Sequence, residues 1–309
     1  MKLEPANQIR LFSHNEQFKS LINLYSKKKL PNKLLFSGEK GIGKCTLAYH
    51  LVNYILSLNE ENPYDTKNLQ INSENKSFKL VQNKSNPNFI LIDVSADKKN
   101  IDIDQIRNLI LSLNKSSFND KPRIVLIDNI ELLNINSVNA LLKILEEPND
   151  NINFILINNN KKILPTLKSR CLNFKIQLNF NQSIDTINKI LNNNIYDLLN
   201  IDLINHYNTP GQLFNLINLQ NQFDLNLKEM NLKDLIFFII KNKHYKKDFI
   251  INELIYSLIE FYLRSKISVD DISLINIKDH FLKKINDTKK FNLDEETLLM
   301  EFEDKVLNG

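Results

Sequence analysis

Hydrophobic residues along this chain fall into two patterns. Short runs of Ile, Leu, Val and Phe that end in polar residues predict buried strands. Four such runs occur, at 33–38, 88–94, 123–129 and 153–159. Between them, apolar residues three and four positions apart predict helices, and these lie at 44–58, 103–114 and 139–147. Strands that alternate with helices are typical of a doubly wound α/β domain with a mostly parallel sheet.

One segment of the first half does not fit this alternation. Residues 59–87 are rich in Asn, Ser, Glu and Lys and include Pro63 and Pro87. Polar clusters of this kind between periodic segments are typical of loops. We therefore expect 59–87 to be an irregular insertion on the surface.

The strand pattern stops near residue 177, and only helical patterns follow from about 183. Longer amphipathic stretches occupy 233–242, 248–266 and 294–308. The change in pattern predicts three domains, which are an α/β domain at 1–177, a small helical domain at 178–222 and a helical C-terminal domain at 223–309.

Composition limits the class of protein. The chain has 309 residues, of which 42% are hydrophobic and 25% charged, as in ordinary soluble proteins. Its net charge of +4 permits contact with nucleic acid without indicating it, and the lysines at 26–29 and 97–99 are typical of solvated faces. The two cysteines lie far apart, and the five histidines lack metal-ligand spacing, which argues against a disulfide framework or a zinc site. The chain begins without the apolar core of a signal peptide, and its longest apolar run, 235–240, is too short to span a bilayer. We therefore expect a cytoplasmic location.

A candidate phosphate loop follows the first strand. Gly38, Gly43 and Lys44 match the pattern Gly-x4-Gly-Lys, and Gly41 lies between them, although the whole chain has only five glycines. The preceding strand and the following helix are the context that this motif requires, with helix N–H groups facing an anion and Lys44 reaching the β and γ phosphates. The alternative is a strand–helix turn that needs glycine for its backbone shape.

The metal position of this loop is altered. Cys45 stands where a serine or threonine hydroxyl normally meets magnesium. A neutral thiol is a poor ligand for a hard cation that prefers oxygen. Thr46 is next in the chain, but it should point about 100° around the helix. Nucleotide could still bind through the backbone and Lys44, with the placement of the metal impaired.

The run at 123–129 ends in Asp128, which is suited to hold a water on Mg²⁺. An active ATPase of this kind usually has glutamate next, as the base for the attacking water. Here the residue is Asn129, whose amide cannot accept that proton. Glu131 lies two residues further and does not simply replace it. We expect hydrolysis at this site to be very slow or absent.

Two motifs allow a family to be named. The run NALLKILEEP at 139–148 and the run LPTLKSRC at 164–171 resemble the clamp-loader branch of AAA+ proteins, in particular the clamp loaders of bacterial DNA polymerase III. The resemblance covers residues 10–177. It implies a P-loop AAA+ doubly wound parallel sheet, then a small helical lid domain and a helical C-terminal collar domain.

The resemblance also implies roles for individual residues. Clamp loaders are rings of five subunits with ATP between neighbours, and the arginine of the SRC motif reaches the neighbour's site. That arginine is Arg170 here, flanked by Ser169. A planar, permanently charged guanidinium suits phosphate. The simpler alternative is a surface arginine in an ion pair. The nucleotide-binding residues implied are Gly38, Gly41, Gly43, Lys44, Cys45, Thr46 and Asp128.

Within the ring, the pattern resembles the non-hydrolysing stator and not the motor. Motor subunits carry an arginine in the lid domain where Gly211 stands here. The partners implied are γ/τ motor subunits, a δ subunit and, indirectly, the sliding clamp and primed DNA. ATP or ADP with Mg²⁺ is the implied nucleotide, weakly bound or not hydrolysed. Some relatives have a four-cysteine zinc module within 59–87, where this chain has no cysteine, so no zinc is expected.

Two alternatives make the chain an enzyme. An ATPase motor of the γ/τ type would use Gly38, Gly43, Lys44 and Asp128. A kinase could use the same loop to transfer phosphate to an acceptor, but this leaves the SRC motif and the helical tail unexplained.

Overall fold

The computed structural model describes residues 3–95, 98, 100–115, 119–147, 151–265, 272–291 and 293–308, with the backbone alone at 272–274. The chain forms two compact units, Met1–Thr186 and Ile187–Gly309. Their boundary falls within one helix, α7 (Phe180–Leu191). The division into three domains at 177 and 222 stays a prediction.

The first unit is built on a parallel sheet of five strands. In chain order the strands are β1 (Lys33–Ser37), β2 (Phe89–Ile92), β3 (Arg123–Ile127), β4 (Ile152–Asn158) and β5 (Leu172–Lys175). Their order in the sheet is β2-β3-β4-β1-β5, and the four pairings between neighbours are all parallel. The four strands expected from the sequence are all present, and β5 is an additional edge strand.

Helices cover both faces of this sheet. They are α1 (Asn15–Ser26), α2 (Lys44–Ser57), α3 (Lys76–Gln82), α4 (Ile103–Leu113), α5 (Ile135–Glu146) and α6 (Pro165–Lys168). Successive residues of a strand point to opposite faces. Accordingly, Leu34 and Phe36 pack with α1, α2 and α3, whereas Leu35 between them packs with α4 and α5. The predicted doubly wound α/β fold is confirmed.

The expectation for residues 59–87 is wrong in part, because the segment is irregular outside one short helix but is packed into the core. This segment contains α3 and buries Tyr64 and Phe78 in the same core as α2. A polar network fixes it: the Glu60 carboxylate accepts hydrogen bonds from the Ser77 N–H at 3.1 Å and from Lys121 Nζ at 2.8 Å. Its apolar residues are spaced irregularly among polar ones, so no period signalled their burial.

The second unit is helical throughout its described residues. After the end of α7 come α8 (Ile195–Leu198), α9 (Pro210–Phe223), α10 (Leu232–Lys241), α11 (Phe249–Ser265), α12 (Ile272–Phe291) and α13 (Glu295–Phe302). Thr209 and Gln212 form a capping box at the start of α9, which begins with Pro210. Across the described part of the chain, no helix combines the length and apolar character needed to span a membrane.

Candidate functional site

The glycine loop lies between β1 and α2, at the carboxyl edge of the sheet. Gly41 and Gly43 have φ values of 87° and 92°, which glycine adopts without steric cost. Gly38 is needed for another reason, because a methyl group there would lie 2.2 Å from the carbonyl oxygen of Ile176. Gly43 precedes α2 and gives no side-chain cap, so the first N–H groups of α2 keep their capacity to bind an anion. This backbone has the features of a phosphate cradle.

Lys44 is folded onto the loop. Its side chain is buried, and its ammonium donates to the carbonyl oxygens of Gly38 at 2.9 Å and Glu39 at 2.5 Å. Burial lowers the pKa of Lys44 to about 8, and the negative charges of Asp128 and Glu131 partly offset this. The ammonium therefore satisfies its donors within the protein, in the position where phosphate oxygens would otherwise accept them.

Cys45 and Asp128 are joined by a hydrogen bond in which the thiol donates to the carboxylate. Burial raises the pKa of the Cys45 thiol well above its usual value, and the charge of Asp128 raises it further. Burial, together with the charge of Asp93, also raises the pKa of Asp128. Cys45 is thus a neutral thiol, which is a weak ligand for magnesium. The loop fits the phosphates of a nucleotide better than it fits the metal that accompanies them.

Asn129 has both ends of its amide engaged. Its Nδ2 donates to Asp93 Oδ1 at 2.8 Å, and its Oδ1 accepts from Asn159 Nδ2 at 2.8 Å. Its backbone is left-handed, with φ of 55°, and its N–H donates to Asp128 Oδ1. An amide in this network orients its neighbours and cannot act as a general base.

Sequence reasoning missed two polar residues of this edge and left a third without a role. Asp93 and Asn159 each follow a strand directly, and Asn159 Nδ2 donates to Glu131 Oε1 at 2.9 Å. Parallel strands end at a common edge, so polar residues that follow them converge there. That rule could have identified Asp93 and Asn159. The contact of Glu131 with Asn159 joins residues 28 positions apart, and no pattern in the sequence indicates it.

His14 is a further residue that the motifs did not indicate. It precedes α1, is 6% exposed, and its Nε2–H donates to the carbonyl oxygen of Ile42 at 2.6 Å. Its Nδ1 has no hydrogen-bond partner among the described residues. Burial lowers the pKa of His14, and the nearby Lys44 lowers it further. The neutral ring ties the segment before α1 to the loop.

The remaining predicted residues are placed as follows. Thr46 lies in the first turn of α2 and is half-buried. Gly211 is the second residue of α9. Ser169 ends α6, and its hydroxyl donates to the Thr166 carbonyl oxygen at 3.1 Å. Pro148, the last residue of the first family motif, lies outside the described residues. In the described part of the chain, no three His, Cys, Asp or Glu side chains converge in a metal-binding group.

Arg170 lies at the amino ends of the strands, whereas the glycine loop lies at their carboxyl ends. Arg170 precedes β5, whose first residue Leu172 pairs with Leu34 of β1. With about 3.3 Å of rise per residue, the start of β5 is on the order of 13 Å from Gly38 along the strands, and Arg170 lies in the turn before that start. Its Nη2 forms an ion pair with Glu146 Oε1 at 2.5 Å, and its Nη1 donates to the Thr166 carbonyl oxygen at 2.8 Å. Arg170 therefore belongs to a separate surface and not to the loop of its own chain.

A comparison with family models identifies the family of this chain. The family described as "DNA polymerase III, delta subunit" matches residues 13–180. A DNA polymerase III subunit delta′ of Buchnera aphidicola subsp. Schizaphis graminum is 28% identical over 284 residues, covering 87% of this chain and 83% of the relative. The subunit gamma of the same organism is 28% identical and covers 75% and 63%. The delta′ of Pseudomonas aeruginosa is 32% identical over 45% of this chain and 40% of its own length.

A solved structure supports the fold. The DNA polymerase III gamma subunit-related protein of Thermotoga maritima matches with a TM-score of 0.55 over 92% of this chain and 96% of its own, at 17% identity. At that identity the likeness concerns the fold alone.

Proposed function

The chain belongs to the DNA polymerase III delta subunit family of clamp-loader proteins, and from that premise we propose that it is the delta′ subunit, a stator that hydrolyses little or no ATP itself. In this role it takes part in ATP-dependent loading of the sliding clamp onto primed DNA. It contributes Arg170 as an arginine finger to the ATP site of a neighbouring subunit.

The observation that carries the proposal is the chemistry around the glycine loop. The base position holds Asn129, whose amide is bound at both ends, and the metal position holds a neutral thiol that donates to Asp128. Both changes remove parts that water attack on a phosphate requires. The loop retains its cradle and Lys44, so ATP or ADP, with or without Mg²⁺, can bind there weakly without being split.

The position of Arg170 supports a role in trans. An arginine that lies before the start of β5, which is itself on the order of 13 Å from the loop of its own chain, and that pairs with Glu146 does not contact phosphates bound at that loop. Its guanidinium is partly exposed, at 34% of its side-chain area, so an incoming subunit can contact it. Partners of this kind would be the γ/τ motor subunits, with a δ subunit completing the ring. Ser169 is placed to shape the turn that presents Arg170, since its hydroxyl bonds within that turn.

Glu131 favours a second candidate, a γ/τ-type ATPase motor. Asn159 Nδ2 contacts both the Asn129 amide and the Glu131 carboxylate, at 2.8 and 2.9 Å. A carboxylate therefore lies one bridging amide away from the position of the missing base. If it served as that base, the isolated chain would turn over ATP, and both Lys44→Ala and Glu131→Gln would abolish the turnover.

The decisive experiment uses a reconstituted clamp loader. Arg170→Ala should lower ATP turnover and clamp loading in the presence of primed DNA by about 10³-fold or more at the site it serves. Arg107→Ala is the matched control, because Arg107 is also an ion-paired surface arginine of the first unit. Equal activity of the Arg170 and Arg107 variants would refute the finger. Robust turnover by the isolated chain would replace the stator with the motor.

A further inference from the structure

Arg170 is held by two groups of its own chain. Glu146 Oε1 pairs with Nη2 at 2.5 Å, and the Thr166 carbonyl oxygen accepts from Nη1 at 2.8 Å. We propose that Glu146 is a restraining residue, which holds the Arg170 guanidinium on its own subunit until the phosphates of a neighbour's ATP displace the carboxylate. This inference rests on the proposed role of Arg170 as a finger in trans. Glu146 is then a positioning residue that acts only through Arg170.

The location of Glu146 explains why it attracts the arginine. Glu146 is the last residue of α5, and Glu147 caps that helix. The C-terminal end of a helix carries partial negative charge from its unpaired carbonyl groups, so a carboxylate there is in an unfavourable field and a cation is favoured. Arg170 relieves this repulsion, which gives the ion pair a reason to form in the free subunit.

The same pair is weak enough to be exchanged. The Glu146 side chain is 54% exposed and that of Arg170 is 34% exposed, so solvent screens their attraction. Exposed pairs of this kind shift equilibria by about 1.5- to 5-fold. A triphosphate offers several charged oxygens in a geometry that the planar guanidinium can bind at two points. It should therefore replace a single carboxylate at a modest loss of apparent affinity.

Removal of the restraint should recover that loss. In the reconstituted loader, with clamp and primed DNA, we expect Glu146→Gln to lower the KM for ATP about 2- to 5-fold with kcat little changed. Glu146→Asp retains the charge and should stay close to the native KM. Glu147→Gln is the matched control, because it removes the same charge one residue further on. Within the part of the chain that the structure describes, Glu147 has no ion pair with Arg170.

A double-mutant cycle separates this role from a structural one. Against an Arg170→Ala background, Glu146→Gln should no longer change KM, because the residue acts through the arginine. A lower KM that persists without Arg170, equal effects of Glu146→Gln and Glu147→Gln, or a higher KM in Glu146→Gln would each overturn the restraint. If Arg170→Ala impairs the loader while the two glutamine variants are alike, the restraint fails and the finger stands. If Arg170→Ala has no effect, both fail.

Discussion

Gly38 is a position where the substitution of one hydrogen by a methyl group should disturb the first unit. Gly38 follows β1, and its N–H donates to the Asn158 carbonyl oxygen at 3.2 Å. The chain after β5 passes directly beside it, with the Ile176 N–H donating to the Ser37 carbonyl oxygen at 2.8 Å. Alanine at this position would place its methyl group between two backbone segments that are already in contact.

The distances set the magnitude. The added carbon would lie 2.2 Å from the Ile176 oxygen and 2.8 Å from Ile42 Cδ1, where ordinary contacts are 3.4–4 Å. The Ile42 side chain can move aside, but the Ile176 carbonyl is backbone and carries β5 with it. Overpacking of this kind costs about 1–3 kcal/mol, and weakening the bond between Ile176 and Ser37 adds about 0.5–1.5 kcal/mol. We expect Gly38→Ala to lower the free energy of unfolding by about 1.5–4.5 kcal/mol.

Urea unfolding followed by far-UV circular dichroism measures this loss. Gly211→Ala is the control, because Gly211 is the second residue of α9 and a helix accepts alanine at least as well as glycine. The two variants make the same chemical change, and only Gly38→Ala should lower the free energy of unfolding. If Gly38→Ala unfolded at the same urea concentration as the native chain, the close approach of Ile176 to the loop would not exist in solution.

Three further predictions concern titratable groups whose pKa values are shifted by desolvation. Burial lowers the pKa of Lys44 from 10.5 to about 8. Between these values the unfolded chain keeps a proton that the folded chain has lost, so the free energy of unfolding should rise by about 1 kcal/mol per pH unit from pH 8 toward pH 10. Urea unfolding of Lys44→Met should lack this rise. Burial lowers the pKa of His50 from 6.5 to about 4. The free energy of unfolding should therefore fall by up to about 3 kcal/mol as the pH drops from 6.5 to 4. Urea unfolding of His50→Gln should show a smaller fall. Burial raises the pKa of both cysteines, that of Cys171 to about 11. Iodoacetamide should therefore modify Cys171 about a hundredfold more slowly in the native than in the unfolded chain, and Cys45 more slowly still; mass spectrometry of the peptides would contradict this if native Cys45 reacted first.

The sequence predicted most of the first unit because its strands are short, apolar and buried. β3, Arg123–Ile127, is buried at every position but its first, and its run of apolar residues is typical of a buried strand. β5 escaped notice because it is an edge strand with Leu172 44% exposed, so its residues carry no strong pattern. The packed segment with Tyr64 and Phe78 escaped because hydrogen bonds, which have no period in sequence, hold it in place.

The candidate site was predictable where a motif fixes the backbone and unpredictable where side chains meet across the sheet. Gly41 and Gly43 have the backbone that a glycine loop requires. The contact of His14 with Ile42 joins residues 28 positions apart and depends on the packing of α1. The pair of Arg170 with Glu146 likewise forms because α5 packs against α6, which ends just before Arg170. Such contacts follow from the fold and not from local composition.

The glycine loop and Arg170 lie at opposite ends of the strands of one sheet, so the first unit has two different surfaces. An association that brings the arginine surface of one subunit to the loop surface of the next is head-to-tail and not two-fold symmetric. Subunits joined in this way form an ordered series in which each serves the neighbour on one side only. A subunit whose own loop does not hydrolyse nucleotide can still complete the series, but it has to occupy a fixed position in that order.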